Sequence, residues 1–291
     1  MSACPSAETI MGTRFATMHP IEHLRYVARS SGGDPRVLVA ETSDALRGLR
    51  SDPAGLVVAC RRIVQRHPLC GPLWWFCSSV LTSTEPMVTA RLLAEQMDGD
   101  LTSGHLAAEL PDDATICLLG WPDSVGEAVV RRGDVRVLAV DVDGVGSSFV
   151  RQLERYDVQV DLVDPCDLSS AVLASDLVLI EAWSAGDCRV VSERLSMSAA
   201  ATAYCSEIPV WAIAGLGRCL PTAIVDVIVG RVGSTGGSQA RGGSLGVPPT
   251  ADVVPTGLIH QLVGPSGRTA MPESLAAECQ VAPELLRVSP M

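Results

Sequence analysis

The chain has 291 residues, 47% hydrophobic and 19% charged, with a mean hydropathy of +0.27, so it can build a sizeable core and is not a disordered chain. Its formal net charge of −11 repels phosphate backbones and speaks against general nucleic-acid binding. Every Lys/Arg position is arginine, which excludes Schiff-base and phosphate-loop lysine chemistry.

No apolar run reaches the length of a membrane span. The first residues carry Glu8 and Arg14 and lack the apolar stretch of a secretory leader. Ten cysteines are scattered without a C-x-x-C pair, several of them inside apolar runs. The expectation is a cytoplasmic protein with reduced thiols and no zinc site.

Residues 1–110 read as helical. In 53–65 the apolar residues Leu56, Val57, Cys60, Ile63 and Val64 share one helix face, and Asp52 and Pro53 suit an N-cap and a first-turn proline. Further helical segments are read at 44–50, at 73–81 after a Cys70-Gly71-Pro72 turn, and at 86–97. After Pro111 the pattern alternates. Strands are predicted at 115–119, 135–140, 158–163, 177–180 and 210–214, with helices at 124–132, 147–156, 169–174 and 191–205. This order predicts an α/β fold, a Rossmann-like and mainly parallel sheet domain over 111–291, preceded by a helical domain over 1–110. Glycine and serine mark 231–250 as a flexible loop, and helical stretches are read at 256–263 and 273–278.

In an open parallel sheet, ligands sit beyond the carboxyl ends of the strands. The turns that open at Gly120, Asp141, Asp164, Glu181 and Gly215 each follow a predicted strand. Gly120, Asp141, Glu181, Arg194 and Arg218 are expected to converge on one cleft, with the two arginines holding a phosphate or carboxylate. Asp141, Asp143, Asp164 and Asp167 can bind Mg²⁺ or ribose hydroxyls, or cap the following helices. His19 and His23 form an i, i+4 pair without a third metal ligand, so no metal is expected. Trp74-Trp75 is read as packing between helices, with a binding surface as the other reading. The Gly144-x-Gly146 and Gly215-x-Gly217 turns lack the full dinucleotide fingerprint, and no cofactor is expected.

The stretch from Val135 to Pro221 resembles the regulatory-subunit family of translation initiation factor 2B, related to methylthioribose-1-phosphate and ribose-1,5-bisphosphate isomerases. The resemblance is carried by Arg136-Val-Leu-Ala-Val-Asp141, Ala174-Ser-Asp-Leu-Val-Leu-Ile-Glu-Ala182, the segment from Ser192 to Cys205, and Pro209-Val-Trp-Ala-Ile-Ala214. Asp252-Val-Val-Pro-Thr-Gly-Leu-Ile-His260 resembles the family's terminal segment, and His67-Pro-Leu-Cys-Gly-Pro-Leu-Trp-Trp75 its arginine-proline segment. The resemblance implies a helical domain before a Rossmann-like one, and a homodimer formed through the latter. It also implies a small phosphorylated metabolite as ligand. The isomerases' cysteine falls on Gly120, with Cys117 nearby. Their glycine-alanine-aspartate motif reads Glu181-Ala182-Trp183, their asparagine-lysine pair reads Glu193-Arg194, and an arginine after the second strand is replaced around Asp143-Gly144. Isomerisation needs an acid–base pair. The first reading is therefore a non-catalytic or regulatory member that binds a phosphorylated metabolite or a protein partner. The alternative is a sugar-phosphate isomerase with Glu181 and Cys117 as relocated catalytic groups. A dinucleotide-dependent enzyme is a third reading, resting on the sheet alone.

Overall fold

The computed structural model describes residues 34–235, 251–273 and 275–286. Helices come first: α1 (Pro35–Leu46), α2 (Pro53–Arg66), α3 (Gly71–Thr82), α4 (Pro86–Asp98) and α5 (Thr102–Glu109). The first two open on an aspartate followed by proline. Asp34 accepts the Arg36 N–H and Asp52 the Gly55 N–H, so each carboxylate satisfies an amide that the helix leaves free.

The alternating part then follows as β1 (Thr115–Leu119), α6 (Asp123–Arg132), β2 (Arg136–Val140), α7 (Gly146–Glu154), β3 (Gln159–Val163), α8 (Leu168–Leu173) and β4 (Leu177–Gly186). After it come β5 (Arg189–Glu193), α9 (Ser196–Cys205), β6 (Val210–Ile213), α10 (Thr222–Thr235), β7 (Ala251–Pro255), β8 (Gln261–Gly264), β9 (Gly267–Ala270) and α11 (Pro283–Leu286). The sheet runs β3-β2-β1-β4-β6-β8-β9, parallel except for the terminal β8–β9 pair. This is the mainly parallel α/β architecture that the strand–helix alternation predicts.

Side-chain alternation along the strands feeds two cores. On one face Ile116, Leu118, Leu177 and Leu179 pack under α5, α6 and α7. On the other, Cys117, Val178, Ile180 and Ala212 pack under α8 and α9. A third core joins α1–α4 to α10, α11 and Val191 of β5. Trp74 and Trp75 lie inside it, 0% and 2% exposed, and the Trp74 indole donates to the Pro68 carbonyl at 3.0 Å. They are packing residues, not a surface.

Strand β4 leaves the parallel sheet halfway. Its first half pairs with β1 and β6, and its second half pairs antiparallel with β5, which pairs on with β7. The register slips between Ala182 and Ser184, so Trp183 is an extra, bulged residue. The backbone of α3 comes so close there that a Cβ on Gly71 would lie 2.3 Å from the Trp183 carbonyl oxygen.

Three expectations are corrected. The helix predicted over 191–205 starts only at Ser196, because Val190 and Val191 form the middle strand of the β4-β5-β7 ribbon and Leu195 turns with φ of 75°. The helix predicted over 256–263 is a single 3₁₀ turn at Thr256–Leu258 followed by β8, which finds its partner in β6. Residues 273–278 are irregular where described. In the predicted loop, Arg231–Thr235 continue α10, and 236–250 lie outside the described residues, as do His19 and His23.

The irregular segment after β9 crosses back to the helices. Ser78 of α3, fully buried, donates to the Gln280 carbonyl at 2.6 Å and accepts the Ala282 N–H at 2.8 Å. Ser78→Ala leaves both backbone groups without a partner, a loss of about 1–3 kcal/mol. The expected result is a melting temperature lower by a few degrees, together with faster amide exchange confined to the segment around Ala282. Unchanged exchange there would show that this hydroxyl does not hold the segment.

Candidate functional site

A cavity of about 400 Å³ opens at the carboxyl ends of β1 and β4, beneath α1 and the turn between α2 and α3. Its charged centre is an ion pair. Arg218, beyond β6, places Nη2 2.7 Å from Glu181 Oε1, and both side chains are 8% exposed. Glu181 also accepts the Ser124 N–H at 3.1 Å and the Ser124 hydroxyl at 3.3 Å, so it caps the first turn of α6 where the helix dipole favours an anion. The other guanidinium nitrogen of Arg218 donates to the Ala182 carbonyl. The pair is therefore a clamp between β4, the β6 loop and α6.

Two further acids line the cavity. Glu193 ends β5, and Asp123, more exposed, opens α6. Burial first, with Asp143 and Asp252 adding repulsion against the pull of Arg194, pushes the Glu193 carboxyl up to about 7. Burial and the nearby Glu181 and Asp34 push Asp123 up to about 6, opposed by Arg218 and the Trp121 indole. Glu193 is held in place from two sides. Its Oε1 accepts the Arg194 N–H at 2.9 Å, and Gly120, at φ of 65°, brings its backbone so near that an added Cβ would lie 2.8 Å from Oε2. Aromatic surface comes from Trp121 and the bulged Trp183, and a thiol from Cys70, which burial pushes up to about 11.

Of the sequence-predicted residues, Glu181 and Arg218 meet in this cavity, and Gly120 touches it through Glu193. Asp141 and Arg194 are not among the lining residues. Asp141 accepts the Gly146 N–H at 2.8 Å and so caps α7, and Asp164 likewise accepts the Cys166 N–H at 2.8 Å. Arg194 pairs with the exposed Asp143 at 2.5 Å. The two arginines do not meet: each has its own carboxylate. Cys117, too, is absent from the lining. It is fully buried under α8 and α9 and pairs in register with Val178, whereas Glu181 lies three residues further along β4 and points to the other face. Burial pushes its thiol up to about 12.

Sequence reasoning missed Glu193 and Asp123 as cavity acids, and Cys70 and Trp183 as walls. Trp121 and Asp123 belong to the Gly120 turn, so the strand-end rule already pointed at them. Trp183 stands where the resemblance puts the isomerases' aspartate, and its placement comes from the bulge. Among the described residues, no group of three or more His, Cys, Asp and Glu side chains could hold a metal ion.

Two stability measurements test this geometry. Arg218→Met strands a buried carboxylate and should cost about 3–5 kcal/mol, and adding Glu181→Gln should recover a large part of that loss. A double variant no more stable than the single one would show that the two groups are not coupled. Glu193 keeps its proton in the folded state up to about pH 7, while the unfolded chain releases it near its ordinary value of 4.5. Its contribution is complete below that lower value and is lost as pH rises through 7. Glu193→Gln should therefore raise stability at pH 8 by about 1–2 kcal/mol and leave it unchanged at pH 4. Equal melting temperatures of variant and parent at pH 8 would contradict this.

No protein-family model matches the chain, and no curated protein matches its sequence. Solved structures do match. A translation initiation factor eIF-2B from Pyrococcus horikoshii OT3 superposes with a TM-score of 0.70 at 14% identity, over 87% of this chain and 97% of that one. The eIF2B beta subunit of Chaetomium thermophilum gives 0.64 at 12% identity, over 92% of each chain. The eIF-2B delta subunit of A. fulgidus gives 0.58 at 14% identity, over 87% of this chain and 88% of that one. The Chaetomium thermophilum subunits also form a tetrameric beta2-delta2 complex, one chain of which matches at 0.63 and 11% identity over 92% of this chain and 96% of that one. Helices and parallel sheet together have the fold of the initiation factor 2B subunits, at 11–14% sequence identity.

Proposed function

We propose that the chain is a non-catalytic binding module of the initiation-factor-2B-like fold, acting in the cytoplasm. It holds a small metabolite in the cavity between its helices and its sheet edge. The observation that carries this reading is the state of Glu181. The isomerase alternative needs Glu181 and Cys117 free to move a proton between carbons. Both oxygens of Glu181 are engaged, by Arg218 and by Ser124. Cys117 is sealed in the core, and the Cys70 thiol at the cavity stays protonated at neutral pH. A cavity of about 400 Å³ with apolar walls and a few polar groups is the usual form of a small-molecule site. Pairing with a second copy belongs to the same reading. Helices α8 and α9 pack against each other and leave Leu173, Met197 and Tyr204 exposed, as an interface between copies would require.

A panel of metabolites, sugar phosphates included, is screened by thermal shift on the full chain. Stabilising compounds are then incubated with the protein and recovered. The expected result is at least one ligand that raises the melting temperature and comes back chemically unchanged, since binding to the folded state alone stabilises it. Conversion of a sugar phosphate to its isomer would overturn the non-catalytic reading. Light scattering at micromolar concentration should give about twice the 30.6 kDa chain mass, and a monomer would remove the pairing.

A further inference from the structure

We infer that the ligand of this cavity is a small organic cation, a protonated amine or guanidine carried on an apolar or aromatic skeleton, and not a phosphorylated sugar. The inference rests on the binding-module reading and specifies its ligand.

The first argument is charge. The cavity lining brings three carboxylates, Glu181, Asp123 and Glu193, against one guanidinium, Arg218, and one imidazole, His67. That guanidinium is spent. One terminal nitrogen faces Glu181 and the other faces the Ala182 carbonyl. A phosphate dianion entering here would meet two further carboxylates and displace a buried ion pair to gain a partner. A cation meets the opposite situation. Glu193 Oε2 accepts no hydrogen bond among the described residues, and Asp123 lies partly open at the same cavity. Burial, which disfavours an uncompensated charge, holds the protons of both carboxyls unusually high.

The second argument is the hydroxyls. Ser192 donates to the Glu181 carbonyl at 2.6 Å, and Ser196 donates to Ser192 at 3.2 Å. Their protons are engaged within the protein and the two side chains are buried, so neither gives a ligand a hydrogen-bond donor. A phosphate, which can only accept, finds no donor in these two hydroxyls.

The third argument is the walls. Trp121 and Trp183 flank the acids, and Trp183 is placed there by the bulge in β4. An ammonium or guanidinium group beside an indole face gains cation–π attraction, most where water is excluded. The volume of about 400 Å³ takes a skeleton of a single ring or a short alkyl chain.

Calorimetric titration of the full chain with 2-phenylethylamine and agmatine tests this, with 2-phenylethanol as the uncharged analogue and ribose 5-phosphate as the anionic probe. At least one amine should bind roughly tenfold more tightly than either control, the size of one charge-assisted hydrogen bond. Glu193→Gln should remove most of that advantage while leaving 2-phenylethanol binding unchanged. Tighter binding of ribose 5-phosphate than of both amines overturns the inference and leaves the binding-module reading standing. Equal binding of amine and alcohol overturns the charge argument. No binding by any of the four also overturns the inference, and the wider metabolite screen then decides the module reading by itself.

Discussion

A buried carboxylate and a buried guanidinium leave water at a cost of several kcal/mol each, and only together, with their remaining atoms hydrogen-bonded, is that cost offset. Glu181 and Arg218 meet those terms. Three segments far apart in sequence must be in place for them to do so: the bend of β4, the loop beyond β6, and the first turn of α6. This one contact ties the sheet edge to the cavity. The pair that fixes the site also occupies the Glu181 carboxylate.

Strand β4 translates that constraint into shape. Its first half belongs to the parallel sheet and its second half to the β4-β5-β7 ribbon, so one strand carries the cavity's ion pair and reaches the helical core. The bulge at Trp183 turns an indole toward the cavity, and Gly71 allows α3 to press against the bulged backbone. Gly120 plays a matching part on β1, where only the absence of a Cβ lets Glu193 lie alongside. Each close approach brings an acid or an aromatic ring nearer to the same space.

Likeness of fold does not by itself carry likeness of chemistry. The backbone follows the initiation factor 2B subunits over most of its length at 11–14% identity. The cavity of this chain is lined by more carboxylates than guanidinium groups, and its one guanidinium is paired with Glu181. A fold fixes where a ligand can sit, and the side chains that reach that place decide which ligand it is.

The sequence by itself determined the α/β class, the helices ahead of the sheet and all five strands it predicted, because hydrophobic period and aspartate-proline starts are local signals. It also pointed to strand ends at Gly120 and Glu181, since in a parallel sheet those ends share one edge. Only the tertiary structure decided the rest. Residues 191–193 and 261–263 became strands because β4, β7 and β6 were there to pair with them, which no local pattern records. Arg194 and Arg218 look alike in sequence, but one found Asp143 at the surface and the other Glu181 in the interior. Cys117 and Glu181 both lie on strands bordering the same edge, and strand parity sent them to opposite faces. Trp183 reached the cavity through a slip in register. Pairing, parity and register depend on contacts between distant segments, and so they are settled only when the chain has folded.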